Sequence, residues 1–404
     1  MKRYRVIIVA ALIALFGSCS SHAREARVSF AGDIIMHIPV KSCALSRDRR
    51  GPEKKGTLNN RGFDYLFDRM RGTFAGSDIV VGNMEFPVAP PYESRPYIFN
   101  CYPEVLAALR KAGFTMMHMA NNHILDQEEK GVVSSLEHVK RAGLDNLGVA
   151  RDEKTARTGI VKEIGGMRIG FIGYTGYLNR GLPARMNGYH LNWLYRTDEL
   201  KRDIIDMKKR CDYLVMIAHA GVEYDSLPRL KEVGIFRQCI NDGVDLVVSH
   251  HTHLLQPAEL YTAADGREGY IFYSLGNFIS NQSTKAEAWF DGAPLTTRDS
   301  VVVECILTRR DGSGRPSVRF ELVPVYTSNG IEAGTGLRAI QTISIPEEVC
   351  GLKKRLAGAG VKEKVDIERQ LQSLYQKIKA IHKAVIRNGN IKGIKVRDGS
   401  STCE

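Results

Sequence analysis

Several apolar runs in this chain lack the polar alternation of a half-wet strand. "SDIVVGNMEF" (77–86), "CDYLVMIAHA" (211–220) and "VDLVVSHHTH" (244–253) keep apolar residues at consecutive positions, then break into polar ones. A strand with one solvated face alternates, whereas a continuous run needs cover on both faces. Between these runs, apolar residues recur at helical spacing: Val105, Leu106 and Leu109; Val132, Leu136 and Val139; Leu200, Ile204 and Met207; Leu230, Val233, Phe236 and Ile240. Strands of that kind alternating with such helices imply an α/β fold, a buried sheet covered by helices. Gly165-Gly166 between two strand-like runs marks a hairpin, and further strands are expected near 301–308 and 317–325. Ile367, Leu371, Leu374, Ile378, Ile381 and Val385 form a helical seam, too short for a coiled coil and expected to pack on its own domain. The basic tail beyond it is expected to be loose.

The N-terminus speaks to location. "MKRYRVIIVAALIALFGSCSS" has a basic start, an apolar run from Val6 to Phe16 and the small residues Gly17 and Ser18 before Cys19. That is the pattern of a secretory signal, too short to span a bilayer comfortably. Cys19 after Gly-Ser resembles a bacterial lipoprotein cleavage site, although Phe16 stands where such sites usually carry Leu. The expected mature protein is exported, periplasmic or at the cell surface, and membrane-anchored through lipidated Cys19. The other cysteines are scattered with no CxxC pair. Cys211, Cys239 and Cys305 are expected as buried thiols, with a Cys43–Cys101 pairing left open. The net charge of +12 favours anionic partners. No zinc-finger spacing or aromatic-basic signature accompanies it, so nucleic acid is not expected.

In a largely parallel α/β sheet, ligands gather at the carboxyl ends of strands. Five successive strand ends carry polar residues of one kind: Gly32-Asp33, Asn83-Met84-Glu85, Asn121-Asn122-His123, His219, and His250-His251-Thr252-His253. Carboxylate, amide oxygen and imidazole suit Zn, Mn or Fe. Each piece alone has a plainer explanation: Asp after Gly is a turn, Asn-Asn-His is a helix entry, and a lone His on an apolar strand is a hydrogen-bonded core residue. His251 and His253 are stronger, because i and i+2 on extended backbone face one way. The set as a whole points to a metal or polar active centre.

The stretches "AGDIIMH", "GNMEFP", "ANNHILD", "HAGVEY", "VVSHHTHLLQP" and "YSLGNF", in this order over roughly residues 27 to 280, resemble the CapA-type family associated with poly-γ-glutamate capsule synthesis. That family is similar in fold to calcineurin-like metallophosphoesterases. The resemblance implies a two-sheet sandwich flanked by helices over 27–330, after a signal at 1–18 and before a C-terminal helical segment and basic tail at 345–404. It further implies Asp33, Glu85, Asn122, His219, His251 and His253 as ligands to one or two divalent ions, and His123 as the catalytic histidine beside the substrate. Asn83, Asn121, Glu223, Tyr224, His250, Ser274 and Asn277 would support them or line the pocket. Three positions depart from the pattern. His37 lies four residues after Asp33 where Asp-x-His is usual, the bridging carboxylate is Glu85 rather than Asp, and Ala220 stands where Trp is common. The implied function is a metal-dependent hydrolase acting on an anionic polymer or a phosphoester-type substrate. A non-catalytic polymer-binding or export scaffold, and a cell-surface phosphatase unrelated to capsule, compete with it.

Overall fold

The continuous apolar runs become the inner strands of two sheets. The computed structural model describes residues 24–48, 60–282, 287–290, 293–309, 314–387 and 391–399. The signal segment, Cys19 and Cys403 lie outside the described residues. At the centre of the first sheet Arg24–Ile34 runs parallel to Ile79–Met84 and antiparallel to Asp299–Arg309. Met116–His118 and Asp145–Leu147 extend the parallel side, while Ser317–Ile331 and Arg338–Ser344 extend the antiparallel one. In the second sheet Leu246–His250 lies between Tyr213–His219 and Glu268–Phe272, parallel to both. Met167–Thr175 follows in parallel, and Ile160–Ile164 closes the edge through the Gly165-Gly166 hairpin, where φ is 57° and 71°.

Alternate side chains of each strand point to opposite faces, so the sheets meet through one residue set and meet helices through the other. Ala26, Val28 and Phe30 pack inward with Ile169, Phe171, Val215, Ile217, Leu246 and Val248. On the first sheet's outer face, Val80 and Met117 meet Val105, Leu109, Val132 and Val139 of the helices Glu104–Ala112 and Glu128–Arg141. On the second, Leu214, Met216 and Val247 meet Ile204, Met207, Phe236 and Ile240 of Thr197–Lys208 and Leu230–Asp242. The architecture is α/β: a two-sheet sandwich flanked by helices. The inner strands read as unbroken apolar runs because both of their faces are covered.

The C-terminal segment departs from expectation in two respects. It forms two helices, Ile345–Leu356 and Val361–Val385, separated at Gly358 and Gly360, residues that favour a break over helix continuation. The tail is not wholly loose, since Ile394–Val396 adds a parallel strand to Ser317–Ile331. The seam residues Ile367, Leu371, Leu374, Ile378, Ile381 and Val385 join the same inner core as the sheets. Cys43 and Cys101 are separate buried thiols; Cys43 Sγ donates to the Arg338 carbonyl at 3.1 Å.

A tight crossing fixes where the first strand ends. A Cβ on Gly32 would lie 2.0 Å from the Gly276 carbonyl oxygen, the same oxygen that accepts from the Asp33 amide at 3.0 Å. Only glycine permits backbone this close. Gly32→Ala is expected to cost about 1–3 kcal/mol by denaturant unfolding. Ile381→Ala is expected to cost about 2–5 kcal/mol within a single transition; a separate early transition for the helix would refute a shared core.

Candidate metal centre

Because the strands leading into the site run parallel within each sheet, their carboxyl ends gather at one edge of the sandwich. Asp33 is in register with Asn83 and Asn277, and His250 with His219. Asn122 and His123 follow Met116–His118 in a turn leading to the helix at Glu128. Asp33, Glu85 and His253 each turn a ligand atom inward, and these atoms lie within 4.8 Å of one another, all buried. Two of the carboxylate oxygens, Asp33 Oδ2 and Glu85 Oε1, are buried without a hydrogen-bond donor. Leaving such oxygens unmet is costly, and a cation between them removes that cost. The donor set therefore fits a divalent ion.

Amides hold this cluster in place. Asn83 Nδ2 lies 2.7 Å from Asp33 Oδ1, 3.1 Å from His219 Nδ1 and 3.3 Å from Glu85 Oε2, so three acceptors share two hydrogens. Asn121 Nδ2 donates to Asn83 Oδ1 at 3.2 Å and to the Met84 carbonyl at 2.8 Å, which fixes the orientation of Asn83. Asn122 Oδ1 accepts from His219 Nε2 at 2.9 Å. Both nitrogens of His219 are thus engaged by amides, and His219 with Asn122 stands against the inner trio rather than within it. The His251 ring lies 4.6 Å from that of His219, with its Nδ1 buried and unmet. His250 Nδ1 is 3.3 Å from Asp33 Oδ1. Asn277 Oδ1 accepts from His253 Nδ1 at 3.0 Å, which sets that ring's orientation.

His251 and His253 reach the centre by a different route from the one their spacing implied. Their backbone is left-handed rather than extended, with φ of 99° and 60°. Such conformations cost on the order of 1–2 kcal/mol per residue and concentrate at functional sites. The Ser274 hydroxyl accepts the Gly276 amide at 3.2 Å. Glu223 and Tyr224 stand at the mouth, the former 4.0 Å from His253 Nε2. His37 forms wall, accepting the Asn281 amide at 3.2 Å and packing edge-on against Phe99.

One partner was missed in the sequence. Asp126 Oδ2 lies 2.7 Å from His123 Nδ1, and Phe99 stacks on the His123 ring at 4.1 Å. With Nδ1–H committed to Asp126, Nε2 faces Glu85 Oε1 at 4.0 Å. Asp126 closes the quoted run "ANNHILD", three residues after His123, so its position was visible although its role was not.

Burial opposes charge at both inner carboxylates, with opposite outcomes. At Asp33 the flanking His250 and His253 outweigh burial and hold the carboxyl well below the usual range. At Glu85 burial pushes the carboxyl well above it, and the charges of Asp33, Glu223 and Asp126 push the same way. Burial also lowers His251 to about 3, reinforced by His253.

The family model described as "Bacterial capsule synthesis protein PGA_cap" matches residues 27–282. The chain belongs to this bacterial capsule synthesis family. The capsule biosynthesis protein CapA of Bacillus anthracis is 28% identical over 289 residues, 69% of this chain and 66% of that protein. The PGA biosynthesis protein CapA of Bacillus subtilis is 29% identical over 303 residues, 74% of this chain and 70% of that one. This member of the capsule synthesis family therefore spans about two thirds of those relatives' length. A partial structural likeness extends to a protein assigned as a 5'-nucleotidase from Staphylococcus aureus, with a TM-score of 0.45 and 15% identity, covering 74% of this chain and 54% of that one.

Glu85 must release its proton to bind a cation, so binding should strengthen as pH rises through its elevated pKa. In metal-stripped protein, folding prefers protonated Glu85, and the stability from this group is lost as pH rises above the ordinary carboxylate range. Added Mn²⁺ should restore it, by about 2.7 kcal/mol at a hundredfold excess over Kd. The gain in Tm should be larger near neutral pH than near about pH 5, and Glu85→Gln should remove that difference. An equal gain at both pH values would exclude Glu85 as a ligand.

Proposed function

We propose that this chain is an exported, lipid-anchored protein of capsule or related anionic-polymer synthesis, and that its centre is a metal-dependent hydrolase of phosphoester, amide or ester bonds. The observation that carries the reading is the meeting of two unmet buried carboxylate oxygens and His253 opposite the Asp126–His123 pair. The relatives' names place those proteins in capsule and poly-γ-glutamate synthesis, which supports an acidic polymer as the material handled. Asp33, Glu85 and His253 would hold a Mn, Zn or Fe ion. One ion accords with the three-residue cluster, and a second would have to recruit Asn122, His219 and His251 from their present amide and ring contacts.

A divalent ion held there supplies a bound water of lowered pKa and polarises the bond under attack. The chain's own residues then have separate tasks. Asn83 keeps Asp33 oriented, and Asn277 does the same for His253. Asp126 accepts the His123 Nδ1–H and would offset the charge of the imidazolium form, in which the ring can hand its Nε2 proton to the leaving group or bear the developing charge. His123 is 7% exposed and Glu85 is fully buried, so the approach to the centre is largely dry.

Among the described residues no helix is long and apolar enough to cross a membrane. The proposed attachment is a lipid on Cys19. Cys19→Ser should release the protein from membranes, and unchanged retention would defeat the anchor. For the chemistry, metal analysis should find stoichiometric Mn, Zn or Fe, and the loaded protein should cleave a small phosphodiester or a γ-glutamyl amide. His123→Asn should lower kcat by about 10²–10⁴-fold with metal content kept. Loaded protein that cleaves neither substrate would leave the non-catalytic scaffold reading in its place.

A further inference from the structure

The first strand is a strut with the candidate centre at one end only. Arg24–Ile34 delivers Asp33 to the cluster, and Arg24 lies nine residues earlier on the same strand. At about 3.3 Å per residue the two are about 30 Å apart. Other strands share this polarity: Met167–Thr175, Tyr213–His219 and Leu246–His250 run parallel, begin at the end where Arg24 stands and finish at the centre. Contacts between the sheets tie the beginnings together. Arg309, opposite Arg24 in register, donates to the Gly166 carbonyl at 3.3 Å and lies 3.1 Å from Asp212, the residue before Tyr213.

This amino end carries cations in excess. Arg168 and Arg309 share Asp212, at 2.9 and 3.1 Å. Lys208 and Arg315 share Asp245, each at 2.6 Å. Arg267 is matched with Asp265, Arg319 with Glu25 at 3.5 Å, and Lys392 with Glu268 at 3.1 Å. Pairs between groups as exposed as these last two hold weakly against a competing anion. Exposed Arg24 is offset by exposed Glu163 of the neighbouring hairpin, so the surplus is that around the two shared carboxylates. The other end is acidic, with Asp33, Glu85, Asp126 and Glu223 gathered at the centre and its mouth. An anionic surface is therefore attracted to the amino end in preference to the mouth.

Chain length bears on the same orientation. Four residues, Ser20 to Ala23, separate Cys19 from Arg24. A link of that length reaches about 17 Å at most. A mouth turned toward the bilayer would hold Arg24 about 30 Å above it, beyond that reach.

We propose that the amino end of the sandwich is the membrane-facing surface, resting on anionic phospholipid headgroups, and that the candidate centre opens away from the bilayer that carries the chain. The proposal takes the lipid on Cys19 from the preceding section and does not need turnover. Headgroup phosphates displace Glu25 and Glu268 from Arg319 and Lys392 and meet the surplus around Asp212 and Asp245. The centre then reaches material in the aqueous space beyond the membrane. Headgroups of its own bilayer stay out of reach, so its substrate is a water-borne molecule or polymer segment.

The test has two arms. In the first, the unlipidated full chain, Cys19→Ser, is sedimented with vesicles of phosphatidylcholine alone or mixed with phosphatidylglycerol. It should bind the mixed vesicles, and less tightly as salt rises. Arg168→Gln with Arg319→Gln and Lys392→Gln should weaken that binding at least about tenfold, whereas Arg95→Gln with Arg180→Gln, on the mouth side, should leave it unchanged. In the second, the lipidated full chain is reconstituted in the mixed vesicles with a fluorophore on Ala264→Cys, in the turn before Glu268–Phe272, or on Leu230→Cys, beyond the Glu223 loop. The described native thiols are buried. Energy transfer to acceptor lipids should be strong from position 264 and weak from position 230. Equal transfer from both, stronger transfer from 230, or vesicle binding weakened only by the mouth-side variants would overturn the proposal. A chain that carries no lipid yet passes the first arm would uphold the docking surface and discard the anchor. A lipidated chain with position 230 nearest the bilayer would do the reverse.

Discussion

Two buried carboxylates close to one histidine govern this structure. Asp33 and Glu85 are both fully shielded from water and each keeps an oxygen with no donor. Placing two negative charges there is unfavourable, and the chain divides the difficulty unequally. Asp33 is kept ionised by His250 and His253, while Glu85 is left to hold a proton or give it up to a cation. Asn83 touches both, and Asn121 touches Asn83. The arrangement resembles a held-open grip more than a folded-down core, and the surrounding amides keep it open.

The fold makes the grip possible because parallel strands deliver their ends to one place. No single element contains the site. Asp33 comes from one sheet, His219 and His253 from the other and its loop, and His123 from a turn between strand and helix. The inner faces of the sheets are sealed by alternating apolar side chains up to the point where these residues emerge. Backbone approach at Gly32 and Gly276 then brings the "YSLGNF" loop against the first strand, which is how Asn277 comes to orient His253.

Much of this was legible in the residues. Continuous apolar runs declared strands covered on both faces, and polar residues at their ends declared the edge where chemistry would gather. The family resemblance implied Asn83 as a support, and its amide lies against both Asp33 and Glu85. Other features were not. Asp126 looked like the end of a motif, because nothing in an i+3 spacing says which side chain a turn will bring to a histidine. The resemblance implied His219 as a metal ligand, whereas its plainer reading was a hydrogen-bonded core residue, and amides occupy both of its nitrogens. Extended geometry was inferred for His251 and His253, whereas left-handed backbone places them, a choice made by the loop's packing and not by its composition. The 394–396 strand escaped notice because three residues carry no periodicity.

The inner core joins residues far apart along the chain, from Ala26 to Ile386. One of its layers is supplied by Val361–Val385 and the short strand Ile394–Val396. The sandwich therefore seals through contacts of very large sequence separation, which form slowly.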